Sequence, residues 1–150
     1  MKKLTSRSIL FVVISLFAAV ALRADTLDVK IQMKGTSFQA GTPVMLYITY
    51  SYDGSSGILI YQDYEPANSG IVIRHSDTKE KVHRFHEGEM VRLSAKGMGV
   101  SSGHPVHESI NLTQYFNLDR PGLYTVMVDK SYGAQGKKAT SNSITFTLAQ

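Results

Sequence analysis

Apolar and polar residues alternate along most of this chain, and this period of two constrains its fold more than any other feature. Leu27, Val29, Ile31 and Met33 are apolar, whereas the residues between them are polar or charged. Successive side chains of a β-strand point to opposite faces, so this pattern predicts strands with one buried face. Strands are predicted near residues 27–33, 44–52, 58–61, 71–75, 82–85, 90–93, 108–112, 123–130 and 142–148.

Turn-forming residues separate these segments, as at 53–57 and 65–70. No stretch after residue 24 keeps a 3.6-residue period over the length of a helix. Seven to nine short antiparallel strands with this spacing predict an all-β sandwich. The longest irregular segment is expected between Ser94 and His107, where glycine and serine are concentrated.

Residues 1–24 have the pattern of a signal peptide. Lys2, Lys3 and Arg7 precede an apolar run at 9–22, and small residues follow it. This run is shorter than the roughly 20 residues that a membrane-spanning helix needs. Export of the chain is therefore predicted, with an uncleaved N-terminal anchor as the alternative.

Cleavage after Ala21 or after Ala24 fits the small residues at the end of this segment. The chain has no cysteine, so neither a lipid attachment site nor a disulfide is available. We therefore expect a periplasmic or secreted protein with no stable membrane anchor after cleavage. Residues 25–150 are expected to form one domain that is held together by packing.

The formal net charge of +4 comes from the N-terminal segment. Residues 25–150 carry 12 basic and 12 acidic side chains. Binding to nucleic acid or to an anionic membrane depends on clustered Lys and Arg that replace counterions. The charge of the domain therefore predicts no nucleic-acid partner.

Pro121, Gly122 and Tyr124 fit a tyrosine corner at the start of the penultimate strand. In this motif the Tyr hydroxyl bonds to the backbone a few residues upstream. Proline restricts φ in the turn, and glycine adopts a conformation that other residues avoid. The motif stabilises a fold and implies no chemistry.

The segment 110–126 has the pattern Ile-Asn-Leu, Tyr, Pro-Gly-x-Tyr-x-Val, and the ending 141–148 begins with Ser-Asn. Together these segments resemble the immunoglobulin-like domains of exported bacterial proteins and of the region preceding the catalytic domain in deuterolysin-type metallopeptidases. The segment 41–44, Gly-Thr-Pro-Val, looks like the start of the second strand of such domains. The resemblance implies an immunoglobulin-like β-sandwich for residues 25–150. It implies no activity, because the domain is an accessory wherever an enzyme accompanies it.

The sequence lacks the motifs of common hydrolases. A zincin needs His-Glu-x-x-His, but Met90 and Asn111 stand where the second His of the two near-matches would be. Gly-x-Ser-x-Gly does not occur, and without cysteine there is no thiol nucleophile. We therefore predict a non-enzymatic protein with no catalytic residue and no cofactor.

The histidines offer an alternative function. His83 and His86 form one pair at i, i+3, His104 and His107 form another, and His75 should neighbour the first pair. Imidazole suits Zn, Cu and Ni, so the four paired residues could form a metal site. Residues at i and i+3 of a strand point to opposite faces, however, so exposed histidines are the simpler interpretation.

The main hypothesis is an interaction module that binds an unknown protein partner, through an open strand edge or a tyrosine surface. The tyrosines concentrated in the second and third strands also suit a strand without any ligand; they are Tyr47, Tyr50, Tyr52, Tyr61 and Tyr64. A small proteinase inhibitor that presents the loop from Ser94 to His107 is a second hypothesis. The metal-binding protein is the third.

Overall fold

The computed structural model describes residues 25–61, 70–85 and 97–150. These residues form ten strands and one short 3₁₀ helix, Leu112–Gln114. The strands are β1 (Leu27–Gln32), β2 (Ser37–Gln39), β3 (Met45–Tyr52), β4 (Ile58–Tyr61), β5 (Ile71–His75), β6 (Gly97–Val100), β7 (Val106–Asn111), β8 (Gly122–Tyr132), β9 (Lys137–Thr140) and β10 (Ile144–Ala149). Within the described ranges, no helix has the length and apolar character needed to cross a membrane.

The first sheet contains β1, β3 and β7, with β3 in the middle and both pairings antiparallel. Ile48 at its centre lies opposite Ile31 on one side and Glu108 on the other. Every second residue of β1 and β3 is buried. The alternation in the sequence therefore sets the inner face of this sheet, because side chains two residues apart share a face.

The second sheet has the order β2-β10-β8-β5. β8 is 11 residues long, and it pairs with β10 over 122–126 and with β9 over 129–132. β2 and β10 pair in parallel, whereas the other strand pairs among the described residues are antiparallel. A separate two-stranded ribbon consists of β4 and β6.

The two sheets bury their apolar faces against each other. The largest fully buried side chains include Tyr50, Tyr124, Phe116 and Phe146. The rings of Tyr124 and Phe146 stack with their centroids 5.5 Å apart. The predicted all-β sandwich is thus confirmed. The described residues contain ten strands rather than seven to nine, because the short strands β2, β6 and β9 leave no clear alternation in the sequence.

The segment from Ser94 to His107 is less irregular than expected. Gly97–Val100 form β6, in which Met98 lies opposite Ile60 of β4. Glycines weaken a strand because they offer no side chain to pack. β6 therefore depends on its pairing with β4, which the local sequence does not reveal. Residues 94–96 lie outside the described ranges.

The strand predicted at 82–85 is replaced by isolated bridges. Lys81 bridges Arg74 on β5, and Arg84 bridges Phe116. After Val82 this segment turns away from β5, because the backbone of residues 83–85 bonds to residues 115–117 instead. The Phe85 N–H, for example, donates to the Tyr115 carbonyl at 2.9 Å. The strand predicted at 90–93 lies outside the described residues.

Asn142 joins the two sheets through its side-chain amide. Its Oδ1 accepts a hydrogen bond from the Ile31 N–H at 2.9 Å, and its Nδ2 donates to the Ile31 carbonyl at 3.1 Å. Asn142 lies in the break between β9 and β10, next to Ser141. The Ser141 Oγ accepts from the Val128 N–H at 2.9 Å and donates to the Asn142 carbonyl at 2.7 Å. β1 is thereby hydrogen bonded at Ile31 to the segment that links β9 and β10.

The hydrogen bond expected of a tyrosine corner is present. The Tyr124 hydroxyl donates to the Arg120 carbonyl at 2.5 Å. Gly122 has φ 151°, and a Cβ at this position would collide with the ring of His75, so only glycine fits. Burial raises the pKa of Tyr124, and Asp119 raises it further against the opposing effect of Arg120.

Replacing Asn142 with Ala should lower the free energy of unfolding by about 1–2 kcal/mol, because two hydrogen bonds to Ile31 are lost. Chemical denaturation of the purified chain measures this change. Ser143→Ala is the control, since Ser143 is exposed and no hydrogen bond to it is present in the described residues. Equal stability of the two variants would show that the amide does not hold the sheets together.

Tyr124→Phe should destabilise the fold by about 1 kcal/mol through loss of the hydroxyl bond. The substitution should also reduce the loss of stability at alkaline pH. The folded-state pKa lies above the ordinary value of 10.0, so this tyrosine's contribution is complete below pH 10 and is lost as the pH rises further. The free energies of unfolding of the variant and the wild type, measured by denaturation from about pH 7 to about pH 11, should therefore converge as the pH rises. Identical pH slopes for Tyr124→Phe and the wild type would contradict the prediction.

Candidate functional site

A cleft of about 120 Å³ lies beside the tyrosine corner, between the chain that follows β5 and the chain that precedes β8. The first wall forms because the chain reverses after β5, where the His75 N–H donates to the Glu80 carbonyl at 2.9 Å. We call this site the corner cleft; its lining residues are His75, Glu80, Lys81, Val82, His83, Asn117, Asp119, Arg120 and Tyr124.

His75 is the chemically distinctive residue of the corner cleft. Its ring meets the ring of Tyr124 edge to face, with the centroids 5.0 Å apart. Its Nδ1 is buried, and no hydrogen-bond partner for it is present in the described residues. A buried polar atom of this kind is normally satisfied by a protein group or by ordered water. The cleft therefore offers one unmet hydrogen bond.

The charges around the corner cleft balance. Lys81 and Arg120 are cationic, and Glu80 and Asp119 are anionic. Pockets for small organic ligands have volumes of about 300–1,000 Å³, well above that of this cleft. The cleft can thus hold water or a ligand of a few atoms, and its charge favours neither an anion nor a cation.

The structure brings only some of the histidines together. His75 and His83 share the corner cleft, as predicted for neighbours. His107 lies on the first sheet, where its Nδ1 is 3.0 Å from the Thr49 hydroxyl, and His104 lies in a turn bonded to Ser101. His86 lies outside the described residues. Within the ranges described, no three His, Asp or Glu side chains could hold a metal ion, and the four-histidine site stays a prediction.

The structure describes the side chains of three of the five tyrosines in the predicted surface, namely Tyr47, Tyr50 and Tyr52. Tyr50 and Tyr52 are buried. Tyr47 lies on the outer face of the first sheet, where the Lys34 Nζ lies 5.4 Å from its ring centroid. Tyr64 lies outside the described residues, as does the side chain of Tyr61. Tyr50 and Tyr52 therefore have a packing role, and the tyrosine surface as a whole stays a prediction.

A polar cluster inside the sandwich was not predicted from the sequence. Glu108 on β7 and Lys130 on β8 are only 8% and 5% exposed. The Tyr50 hydroxyl donates to the Glu108 Oε2 at 3.2 Å, and the Lys130 Nζ lies 5.7 Å from the Tyr50 ring centroid. Lys130 continues the inward period of Tyr124, Val126 and Val128, and this parity could have predicted its position.

The segment proposed as an inhibitor loop is partly tied to the sandwich. Beyond β6, Ser102 forms a bridge with Tyr52, and the His104 N–H donates to the Ser101 carbonyl at 3.0 Å. β7 already begins at Val106. The described part of this segment therefore belongs to strands and tight turns, and the inhibitor hypothesis stays a prediction.

Two hollows of about 510 and 290 Å³ adjoin at one end of the sandwich, where the start of β4 meets the turn between β8 and β9. Gly133 and Gly136 close this turn with φ values of 67° and 63°. We call this surface the end groove; it is lined by Asp25, Tyr52, Gly57, Ile58, Leu59, Ser131, Tyr132, Gly133, Ala134, Gln135 and Lys137. Burial raises the pKa of Tyr52 here, and nearby Asp25 raises it further.

No protein-family model matches the chain, and no curated protein matches it. The fold is similar to a crystal structure of Spo0M, a sporulation control protein from Bacillus subtilis, with a TM-score of 0.51 and 9% identity over 85% of this chain and 51% of that one. It is also similar to Pseudomonas fluorescens alkylpurine DNA glycosylase AlkC bound to DNA containing an abasic site analog, with a TM-score of 0.45 and 14% identity over 88% of this chain and 33% of that one.

The chain spans about half the length of the Spo0M chain. At this identity the likeness shows the fold alone. The likeness to AlkC carries no argument. Neither neighbour indicates an immunoglobulin-like or deuterolysin-associated domain, so that resemblance stays a prediction.

Proposed function

We propose that this chain is an exported, non-enzymatic, immunoglobulin-like domain that binds a protein partner through the end groove. The observation that carries the proposal is Leu59, whose side chain is 66% exposed on a strand of the β4–β6 ribbon. The partner would place an apolar side chain of an exposed segment into the groove. Export is supported by the pattern of residues 1–24.

Leu59 does not stand alone. It borders the same hollow as Ile58, Tyr132 and Ala134, so apolar and aromatic side chains form a continuous centre. A single exposed apolar residue is common on protein surfaces, whereas a connected group is typical of an interaction site.

Polar side chains adjoin this centre on the side of the smaller hollow. Asp25, Gln135 and Lys137 line the smaller hollow, next to Tyr52 and Tyr132. Protein interfaces commonly combine an apolar centre, rich in tyrosine, with a polar rim. The arrangement of the end groove fits that pattern.

A protein partner fits the end groove better than a small molecule does. Small-molecule sites bury most of the ligand surface. Here Leu59, which forms part of the wall, is itself mostly exposed. A protein surface could cover both Leu59 and the adjoining hollow, and burial of that apolar area would stabilise the complex.

Leu59→Asp should abolish capture of the partner in a pull-down from the exported fraction of the source cell. A charge at the centre of an interface loses apolar contact and must be desolvated, so we expect at least about a tenfold loss of affinity. The captured protein is identified by mass spectrometry. Its affinity for each variant is then measured by calorimetry with purified components.

Leu123→Asp is the matched control. Leu123 is 38% exposed and lies on β8 outside the end groove, so the same substitution there should leave capture unchanged. Thermal unfolding of both variants checks that each remains folded. Equal capture by the two variants, or no capture by the wild type, would refute the end groove as the binding surface.

A further inference from the structure

We propose that two copies of this chain pair through the outer edges of β7 and join their first sheets into one six-stranded sheet. The partner is a second copy in antiparallel orientation, centred on Ser109. This surface is distinct from the end groove, and the inference does not rest on the proposed function.

The hydrogen bonds of the first sheet show which backbone groups of β7 face outward. The side chain of Asn142 bonds to both backbone groups of Ile31, so these groups point away from β3. The residue opposite Ile31 is Ile48, whose own backbone groups must then point to β7, where it faces Glu108. The even-numbered residues of β7 therefore bond to β3.

A second hydrogen bond also shows that even-numbered residues bond to β3. Just beyond β7, the Leu112 N–H donates to the Val44 carbonyl at 2.9 Å. The backbone groups of the odd-numbered residues His107, Ser109 and Asn111 consequently point outward. In the portions of the chain that the structure describes, no backbone group bonds to them.

This edge is suited to strand pairing. β7 contains six residues, Val-His-Glu-Ser-Ile-Asn, and has neither proline nor lysine, two residues that commonly protect an edge. The inward carboxylate of Glu108 protects the edge only against a register that places it opposite its own copy. An exposed row of N–H and C=O groups is a ready template for another strand. Two identical edges can meet around a two-fold axis, which is the commonest symmetry of protein dimers.

The alternation of the two faces limits the register. Pairing all six residues would place side chains that face the core of one copy opposite side chains that face solvent in the other. The inner faces of the two sheets could then not continue into each other. Only two registers then pair five residues. One is centred on Ser109, with Glu108 opposite Ile110 of the second copy; the other is centred on Glu108.

Charge selects between these registers. Centring on Glu108 would place two carboxylates directly opposite each other, which destabilises a strand pair. Centring on Ser109 avoids any like-charge pair. It also aligns the three residues whose backbone groups point out of the edge: Ser109 lies opposite Ser109 of the second copy, and His107 lies opposite Asn111 on either side. Each of these three residue pairs can exchange two backbone hydrogen bonds.

The absence of native cysteine permits a direct test by cross-linking. In the proposed register, Ser109→Cys brings two thiols together across the axis. The Cα atoms of such a pair lie about 5.5 Å apart, within disulfide range. His107→Cys on the same strand is the control, because its two copies would lie about 14 Å apart along the strands. Under mild oxidation, only the Ser109→Cys variant should form a covalent dimer rapidly.

Sedimentation of the purified chain tests the unmodified dimer. Ser109→Pro removes an N–H that points outward and leaves the bonds to β3 intact, so it should weaken dimerisation at least about tenfold. Ser109→Ala should dimerise like the wild type. Leu59→Asp should also dimerise, which separates this inference from the proposed function.

Two results would overturn the inference. One is a wild-type chain that sediments as a monomer at every concentration tested. The other is a His107→Cys variant that cross-links as fast as the Ser109→Cys variant. Thermal unfolding of Ser109→Pro shows whether that variant is folded, and the two cysteine variants test the register even if it is not.

Discussion

The two sheets pack through one apolar core, and a single side-chain amide fixes by hydrogen bonds where β1 lies against the second sheet. Asn142 bonds to both backbone groups of Ile31, as a neighbouring strand would. It can do so because Ser141 interrupts the strand at the point where β8 changes its partner from β9 to β10. The break turns Asn142 out of the second sheet and towards β1. The part of the β1 edge at Ile31 is thereby hydrogen bonded inside the domain.

Charged groups inside the sandwich add a second constraint. Glu108 and Lys130 approach Tyr50 from the two sheets, and Tyr50 is fully buried. Burying charge is costly unless the groups are hydrogen bonded, so such a cluster tolerates few alternative packings. Glu108 also influences the outside of the molecule, because its inward carboxylate disfavours one of the two registers available to the β7 edge.

Local patterns predicted the parts of this fold that local physics determines. The alternation at β1, β3 and β8 set their inner faces, and the residues around Tyr124 indicated a corner whose hydrogen bond is present. β6 was not predicted because its two glycines give no alternation of apolar and polar side chains. The strand is stabilised by its pairing with β4, which the local sequence does not show. The parallel pairing of β2 was missed because the strand has only three residues.

The candidate surfaces were harder to predict because they combine distant segments. The end groove joins the start of β4 to the turn after β8, and no spacing in the sequence connects them. For the corner cleft, only the proximity of His75 to His83 was predicted, and the cleft itself was not. His107 could not be assigned to a separate surface until the pairing of β7 with β3 was known.

The two proposed surfaces use different chemistry and can act together. The end groove offers side chains, so its specificity depends on the shape and charge of the partner. The β7 edge offers backbone groups, so it pairs strands with little regard to their side chains except through register. A dimer formed along β7 would present two end grooves related by a two-fold axis. Against a partner with repeated sites, the second groove would bind at a raised effective concentration, and avidity would increase without any new contact.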